Sequence, residues 1–264
     1  MEQIDYKVIW ITGASSGIGE ALTYELSKKG CRLIISSRKE GNLHKVAENC
    51  EHPDHIKILP LDLSNFESMQ ASVQKALSFF GKIDILINNA GISQRSLILD
   101  TNFDVYRKLM DVNYLGTVAL TKALLPYFIA EKTGHFVTVS SLMGKFGSPY
   151  RSGYCGAKHA LHGFFDVLRM EHEKDGIVVT LICPGFVRTD VAKNALTADG
   201  SPQENDDVAT KNGLTAKVFA KKMIKAVERK KYEAYIGRGE VKGIYLKRFF
   251  PKILHKVVLR SQVT

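Results

Sequence analysis

Short apolar segments alternate with longer amphipathic segments along most of the chain. Continuous runs of Val, Ile and Leu predict buried strands, and apolar residues spaced three or four apart predict helices. The predicted strands cover residues 7–12, 32–36, 56–60, 83–87, 135–140, 177–183 and 233–236. The predicted helices cover residues 18–29, 39–49, 66–80, 103–131, 153–174 and 214–231.

This alternation of elements indicates one α/β domain. Strands that are apolar throughout are typical of a parallel sheet covered by helices on both faces. We therefore predict a single-domain, doubly wound parallel sheet (a Rossmann fold) of about seven strands over residues 1–238. A polar segment, residues 190–213, is expected to form a mobile lid over the substrate. Residues 239–264 are expected to form a basic amphipathic tail.

A glycine-rich turn follows the first predicted strand and directly precedes a helix. Its sequence is T-G-A-S-S-G-I-G, with glycines at Gly13, Gly17 and Gly19. Glycines allow close backbone approach, and the start of the helix offers N–H groups to a pyrophosphate. The turn therefore predicts a phosphate-binding loop that includes Ser15, Ser16 and Ile18, although a purely structural tight turn would have the same composition.

Further motifs occur in a fixed order behind this turn. They are Asn88-Asn89-Ala90-Gly91, Ser141, Tyr154-x-x-x-Lys158 and Pro184-Gly185. With the G-x-x-x-G-x-G spacing, the chain resembles the short-chain dehydrogenase/reductase family, most closely its 11β-hydroxysteroid and retinol-type dehydrogenase branch. The resemblance implies a nicotinamide-dependent enzyme that interconverts a carbonyl and an alcohol. The motif here is Y-C-G-A-K where many members have Y-S-A-S-K, and we interpret Cys155 as a packing residue.

Tyr154 and Lys158 are the candidate catalytic pair, because residues four apart on a helix share one face. A nearby ammonium group stabilises phenolate and lowers the pKa of a tyrosine, which suits it to proton transfer. The resemblance assigns substrate orientation to Ser141, a water chain to Asn113 and the nicotinamide ribose to Lys158. Ser140 is a competitor for the serine role, and Asn113 could alternatively be a polar surface position.

The second predicted strand ends in Ser36-Ser37-Arg38, without an acidic residue. Arg38 can bind a 2′-phosphate, whereas a carboxylate would bind a 2′-hydroxyl, so NADP(H) is the predicted cofactor. The alternative is that Arg38 is a solvated residue at a helix start. The resemblance assigns Asp62 to the adenine, with Leu63 beside it, although Asp62 could instead cap a helix with Ser64. It also implies cofactor contacts from Asn89, Ala90, Gly91, Pro184, Gly185, Val187 and Thr189.

The net charge of +10 is concentrated at one end of the chain. Residues 216–264 contain 14 Lys and Arg against 3 acidic residues, whereas the other 215 residues contain 23 against 24. No nucleic-acid motif accompanies the basic end, so a nucleic-acid partner is not predicted. A basic amphipathic segment suits contact with an anionic membrane surface. Packing over the pocket or in a subunit interface stays an open alternative.

Four scattered cysteines without C-x-x-C spacing indicate reduced thiols, and hence a cytoplasmic protein. Association of this protein with a membrane surface is the alternative location. His135, His159, His162 and His172 lack metal-ligand spacing, so no metal is predicted. The predicted substrate is an apolar carbonyl or alcohol, and the resemblance implies a dimer or tetramer. The alternatives are a 3-oxoacyl-thioester reductase and a non-catalytic protein that senses NADP or acts as a scaffold.

Overall fold

One parallel sheet forms the centre of the molecule, and the predicted fold is confirmed. The computed structural model describes residues 4–205 and 207–261. The sheet strands within these residues are β1 (Val8–Thr12), β2 (Arg32–Ser36), β3 (Ile56–Ile58), β4 (Ile85–Asn88), β5 (Gly134–Val139), β6 (Ile177–Pro184) and β9 (Glu233–Ile236). Their order is β3-β2-β1-β4-β5-β6-β9, and every neighbouring pair is parallel. A separate short pair joins β7 (Val187–Arg188) to β8 (Leu214–Thr215).

Helices cover both faces of the sheet. They are α1 (Gly17–Ser27), α2 (Glu40–Glu48), α3 (Met69–Phe80), α4 (Phe103–Met110), α5 (Gly116–Ala130), α6 (Ser152–His172), α7 (Val208–Lys211), α8 (Ala216–Glu228), α9 (Lys242–Phe249) and α10 (Pro251–Arg260). Ile9 and Ile11 of β1 face a core shared with α1, α2 and α8. Trp10, between them, faces the core shared with α3, α5 and α6. None of the helices in the described part of the chain is long and apolar enough to cross a bilayer.

The predicted helix over residues 103–131 is not uniform. A wider π-helical turn, Asp111–Leu115, separates α4 from α5. Such turns occur frequently at functional sites because they reorient one side chain without ending the helix. Here Asn113 lies within the turn and is fully buried. The alternative that Asn113 is a surface position is therefore wrong.

Residues 190–205 and 207–213 are folded against the body of the domain. Leu196 forms isolated bridges with Gln94 and Pro202, and α7 precedes β8. The C-terminal residues also pack on the body, where Leu254 of α10 contacts a cluster that includes Leu142, Phe146 and Cys183. Both segments therefore border the same end of the sheet. The predicted tail boundary at residue 239 and the mobility of the lid stay predictions.

Candidate active site

The loop between β1 and α1 has the geometry of a phosphate cradle. Gly13 and Gly17 have φ values of +66° and +60°, a region that side chains rarely adopt. A Cβ atom on Gly19 would lie 2.2 Å from the carbonyl oxygen of Gly13. Ser16, Gly17 and Ile18 line a large cavity at the carboxyl end of the sheet. The side chain of Ser16 makes no capping hydrogen bond with α1. The N–H groups at the start of α1 can therefore serve an anion, as a dinucleotide pyrophosphate requires.

The loop after β4 lies between this cradle and α6, the helix that carries Tyr154 and Lys158. The N–H groups of Asn89 and Ala90 donate to Thr12 Oγ1 over 3.0 and 3.1 Å, and Asn89 Nδ2 donates to the carbonyl oxygen of Thr12 over 2.9 Å. A Cβ atom on Gly91 would lie 2.9 Å from Asn113 Oδ1 and 3.4 Å from Lys158 Nζ. The loop therefore lies directly between the phosphate-binding turn and the buried lysine.

Tyr154 and Lys158 lie on the same side of α6 and both line the cavity. Lys158 Nζ is 5.8 Å from the ring centre of Tyr154 and donates to the carbonyl oxygen of Val139 over 2.8 Å. The side chain is buried, and burial lowers the pKa of Lys158 to about 8 because the charged form is poorly solvated. A cofactor or substrate hydroxyl beside this ammonium group would therefore meet a strong, localised hydrogen-bond donor.

Several groups act on the pKa of Tyr154. Burial raises it, whereas a hydrogen bond with Ser141 and the charges of Arg95 and Arg151 lower it. Ser141 also lines the cavity, and its Oγ accepts a hydrogen bond of 3.0 Å from the N–H group of Met143. Burial outweighs these contributions, so the pKa of Tyr154 lies above its usual value, and the cations that act on it are Arg95 and Arg151 rather than the expected Lys158.

Asn113 is held by two hydrogen bonds to a single residue. Its Oδ1 accepts from the N–H group of Ile92 over 2.8 Å, and its Nδ2 donates to the carbonyl oxygen of Ile92 over 2.9 Å. These bonds fix the segment that follows Gly91. Asn113 thus lies beneath the loop after β4, and its predicted part in a water chain to Lys158 stays a prediction.

Three buried charged residues form a cluster that the sequence did not indicate. Asp207 accepts hydrogen bonds from Arg95 Nε and from Arg151 Nη2, each over 3.1 Å, and also from Arg95 Nη2. The three side chains, here named the Asp207 cluster, are at most 7% exposed. Arg95 lies 112 residues from Asp207 in the sequence. No local pattern could have paired these residues.

The residues predicted to bind adenosine lie at the ends of β2 and β3. Arg38 is exposed, and its charge helps to lower the pKa of Asp62, although burial of Asp62 opposes this. Asp62 Oδ1 also accepts from the N–H group and the hydroxyl of Ser64, over 2.9 and 2.7 Å. The side chain of Leu63 packs in the core, which leaves its backbone for any contact with a cofactor.

These loops surround one cavity of about 720 Å³. Predicted residues that line it include Asn89, Gly91, Pro184, Gly185, Val187 and Thr189. Its apolar wall contains residues that the sequence did not single out, namely Leu142, Phe146, Leu246, Leu254, Val257 and Val258. Within residues 4–205 and 207–261, no group of three His, Cys, Asp or Glu side chains is arranged to hold a metal ion.

Sequence comparisons identify similar proteins. A family model described as short chain dehydrogenase matches residues 7–200. The chain is 49% identical to human dehydrogenase/reductase SDR family member 7 over 73% of this chain and 58% of that protein. It is 37% identical to a Drosophila melanogaster SDR family protein 7-like over 99% of this chain and 82% of that protein. The chain therefore spans little more than half of the human relative.

Solved structures share the fold. A short-chain dehydrogenase/reductase from Burkholderia phymatum in complex with NAD superposes with a TM-score of 0.84 and 23% identity, over 100% of this chain and 98% of that chain. ElxO with NADP bound superposes with a TM-score of 0.67 and 29% identity, over 72% of this chain and 76% of that chain. The sheet and its surrounding helices thus match nicotinamide-binding proteins.

The Asp207 cluster gives the first testable prediction. Asp207→Asn removes the carboxylate that two buried arginines share, so the free energy of unfolding is expected to fall by roughly 3–5 kcal/mol. Hydrogen bonds and the charge of the arginines lower the pKa of Asp207 against the effect of burial. The difference between wild type and variant is therefore expected to shrink as the pH falls below about 4.

Urea unfolding measures this difference. Asp104→Asn is the matched control, because Asp104 forms an exposed ion pair with Arg107 and its loss is expected to cost less than about 1 kcal/mol. Equal losses of stability in the two variants would contradict the role given to the cluster.

Proposed function

The chain belongs to the short-chain dehydrogenase/reductase family, and on that premise we propose that it is an NADP(H)-dependent oxidoreductase that interconverts a carbonyl and an alcohol on an apolar substrate. The single observation that carries the proposal is the placement of Tyr154, Lys158 and Ser141 on one cavity beside the phosphate-binding loop. When bound, the nicotinamide exchanges a hydride with the substrate carbon.

In this proposal the protein residues hold the reacting oxygen and move its proton. The Tyr154 phenol donates its proton to the carbonyl oxygen during reduction, and the Tyr154 phenolate accepts the proton of the alcohol during oxidation. Ser141 donates a hydrogen bond to the same oxygen as charge develops on it. Lys158 binds the nicotinamide ribose, and Ser141, Arg95 and Arg151 oppose the rise that burial causes in the pKa of Tyr154.

The wall of the cavity supports an apolar substrate. Leu142 and Phe146 lie on one side, and Leu246, Leu254 and Val258 of the C-terminal helices complete the wall. A 3-oxoacyl thioester is the alternative substrate within the same chemistry. A non-catalytic protein that senses NADP or acts as a scaffold is a further alternative, but the presence of all four predicted catalytic residues favours an enzyme.

NADP(H) is proposed as the cofactor on the basis of Arg38. Arg38 follows β2 with no acidic residue beside it at the strand end, and its charge reaches Asp62 at the end of β3. A guanidinium group there can pair with a 2′-phosphate through charge-assisted hydrogen bonds. Of the two similar structures, one contains NAD and the other NADP, so the choice depends on this residue.

We also propose that the C-terminal helices contact an anionic membrane surface. Phe249, Phe250, Ile253 and Leu259 are exposed on α9 and α10 and alternate with exposed basic residues, namely Lys247, Arg248, Lys252, Lys256 and Arg260. The inner face of the same helices covers the cavity. Packing over the cavity and contact with a membrane are therefore compatible roles for these helices. A dimer or tetramer stays a prediction from the resemblance.

Replacing the catalytic phenol tests the proposed reaction. Tyr154→Phe is expected to lower turnover of NADPH with a panel of ketones and aldehydes by at least 100-fold, since it removes the proton donor. Binding of NADPH, followed by fluorescence, is expected to persist. Tyr150→Phe is the matched control, because Tyr150 is a nearby exposed phenol. A wild-type protein that binds NADPH but reduces no member of the panel would favour the non-catalytic alternative.

Reversing the charge at Arg38 tests the choice of cofactor. Arg38→Asp is expected to reduce the ratio of kcat/KM for NADPH over NADH by roughly 10- to 100-fold, the effect of losing hydrogen bonds to a charged group. Arg32→Asp makes the same charge change at the opposite end of β2 and is expected to leave the ratio unchanged. An unaltered ratio in Arg38→Asp would reject the role of this residue.

Sedimentation with vesicles tests the membrane surface. The protein is expected to sediment with phosphatidylserine-rich vesicles and to remain in the supernatant with phosphatidylcholine alone. Because each basic residue near the surface contributes about 1 kcal/mol, Lys252→Glu with Lys256→Glu is expected to weaken binding at least tenfold. The control, Lys217→Glu with Lys222→Glu, changes exposed lysines of α8. Equal binding by both double variants would argue against a membrane-binding tail.

A further inference from the structure

A row of three polar side chains lies behind Ser141 and Lys158. Ser140 Oγ is 2.9 Å from His162 Nε2, and His162 Nδ1 is 3.0 Å from Glu233 Oε1. Ser140 and His162 are buried, with exposed fractions of 2% and 8%. These distances are those of the serine–histidine–acid arrays of hydrolases. The three residues come from different elements of the fold: Ser140 follows β5, His162 lies on α6 and Glu233 begins β9.

The surroundings of Ser140 argue against hydrolysis. A Cβ atom on Gly144 would lie 2.5 Å from Ser140 Oγ and 2.9 Å from His162 Nε2. Gly144 therefore packs closely against the Ser140 hydroxyl, and Ser140 is only 2% exposed although it borders the cavity. Ser140 Oγ also donates to the carbonyl oxygen of Lys158 over 3.1 Å. The hydroxyl is thus used as a structural link to the catalytic helix.

The row connects the segment that carries Ser141 to the helix that carries Tyr154 and Lys158. Ser140 precedes Ser141, and the helical turn Leu142–Gly144 begins with the hydrogen bond from Met143 to Ser141 Oγ. Lys145, directly after this turn, pairs with Glu233. The same carboxylate therefore holds the far end of the turn through Lys145 and the catalytic helix through His162.

Glu233 is well suited to this task. Its carboxylate also accepts a hydrogen bond from the hydroxyl of Tyr235. Burial alone would raise the pKa of Glu233, but the hydrogen bonds from His162, Lys145 and Tyr235 outweigh burial and lower it. The carboxylate therefore stays ionised and keeps all three contacts around neutral pH.

We propose that His162 and Glu233 are positioning residues that fix Ser141 and Lys158 relative to each other from behind the cavity. Neither side chain lines the cavity. They act through Ser140, the Gly144 turn and the backbone of Lys158. The proposal rests on the proposed oxidoreductase function. It assigns to an edge strand of the sheet a part in catalysis that the family motifs do not indicate.

Steady-state kinetics of His162→Leu test the proposal. The variant removes the contacts of the ring with Ser140, Glu233 and Cys183. A displacement well below 1 Å between Ser141 and Lys158 is expected to lower kcat by about tenfold. The KM for the best ketone of the panel is expected to stay within about twofold, because the apolar wall is unchanged. His159→Leu is the matched control, since His159 is exposed on the same helix, and it is expected to keep the wild-type kcat.

Conservative variants separate positioning from loss of fold. His162→Gln carries an amide near the position of Nε2 and is expected to recover part of kcat, as is Glu233→Gln, which keeps the acceptor for His162. All rates are expressed per NADPH-binding site, so that unfolded protein does not count. Should His162→Leu fail to fold, these two variants carry the test, with kcat about threefold below wild type expected at a constant KM.

Wild-type kcat in the variants that fold would overturn the proposal. A tenfold rise in KM without a change in kcat would overturn it as well, because it would indicate a role in binding the substrate. If the wild-type protein reduces no ketone, the proposed function fails separately. Crystal structures of wild type and His162→Leu then decide the inference: displaced Ser141 and Lys158 side chains support it, and coincident ones overturn it.

Discussion

The burial of the Lys158 ammonium group is the constraint on which the site depends. A cation removed from water is stable only where acceptors replace its hydration. The carbonyl oxygen of Val139, the last residue of β5, is one acceptor, and burial still lowers the pKa of the lysine to about 8. Gly91 lies between Asn113 and the ammonium group, since a Cβ atom there would be 2.9 Å from Asn113 Oδ1 and 3.4 Å from Lys158 Nζ. A cofactor ribose would supply a further acceptor in the proposed reaction.

The topology of the sheet brings the remaining groups to this lysine. All seven strands are parallel, so the loops after β1, β4, β5 and β6 emerge at the same edge. The strand order changes direction between β1 and β4, and a crevice forms at that point in folds of this kind. The phosphate cradle lies on one side of the crevice, and Tyr154 and Ser141 lie on the other. The parallel strand order alone thus brings loops that are distant in sequence to one cavity.

The sequence was informative where structure is determined locally. Apolar runs identified the strands, and the motif residues Ser141, Tyr154 and Lys158 could be assigned to elements from their spacing. The π-helical turn at Asp111–Leu115 could not be predicted, because one additional residue in a helix is too small a change in periodicity to detect. Pairs such as Arg95 with Asp207 and His162 with Glu233 are separated by 112 and 71 residues. These pairs could not be predicted, because only the tertiary structure brings their two residues together.

The two walls of the cavity are held by different forces. Asp207 fixes the segment over residues 190–213 through buried ion pairs, and removing either partner of such a pair costs several kcal/mol. The C-terminal helix α10 is held through apolar contacts of Leu254 and Val258 with the cluster that contains Leu142 and Phe146. Apolar contacts are not directional, so α10 can shift without leaving a charge unpaired. In the proposed membrane contact, lipid would surround the apolar residues of α9 and α10 that are exposed in the structure. For the apolar substrate proposed above, movement of the C-terminal helices would therefore cost less free energy than movement of the segment that contains Asp207.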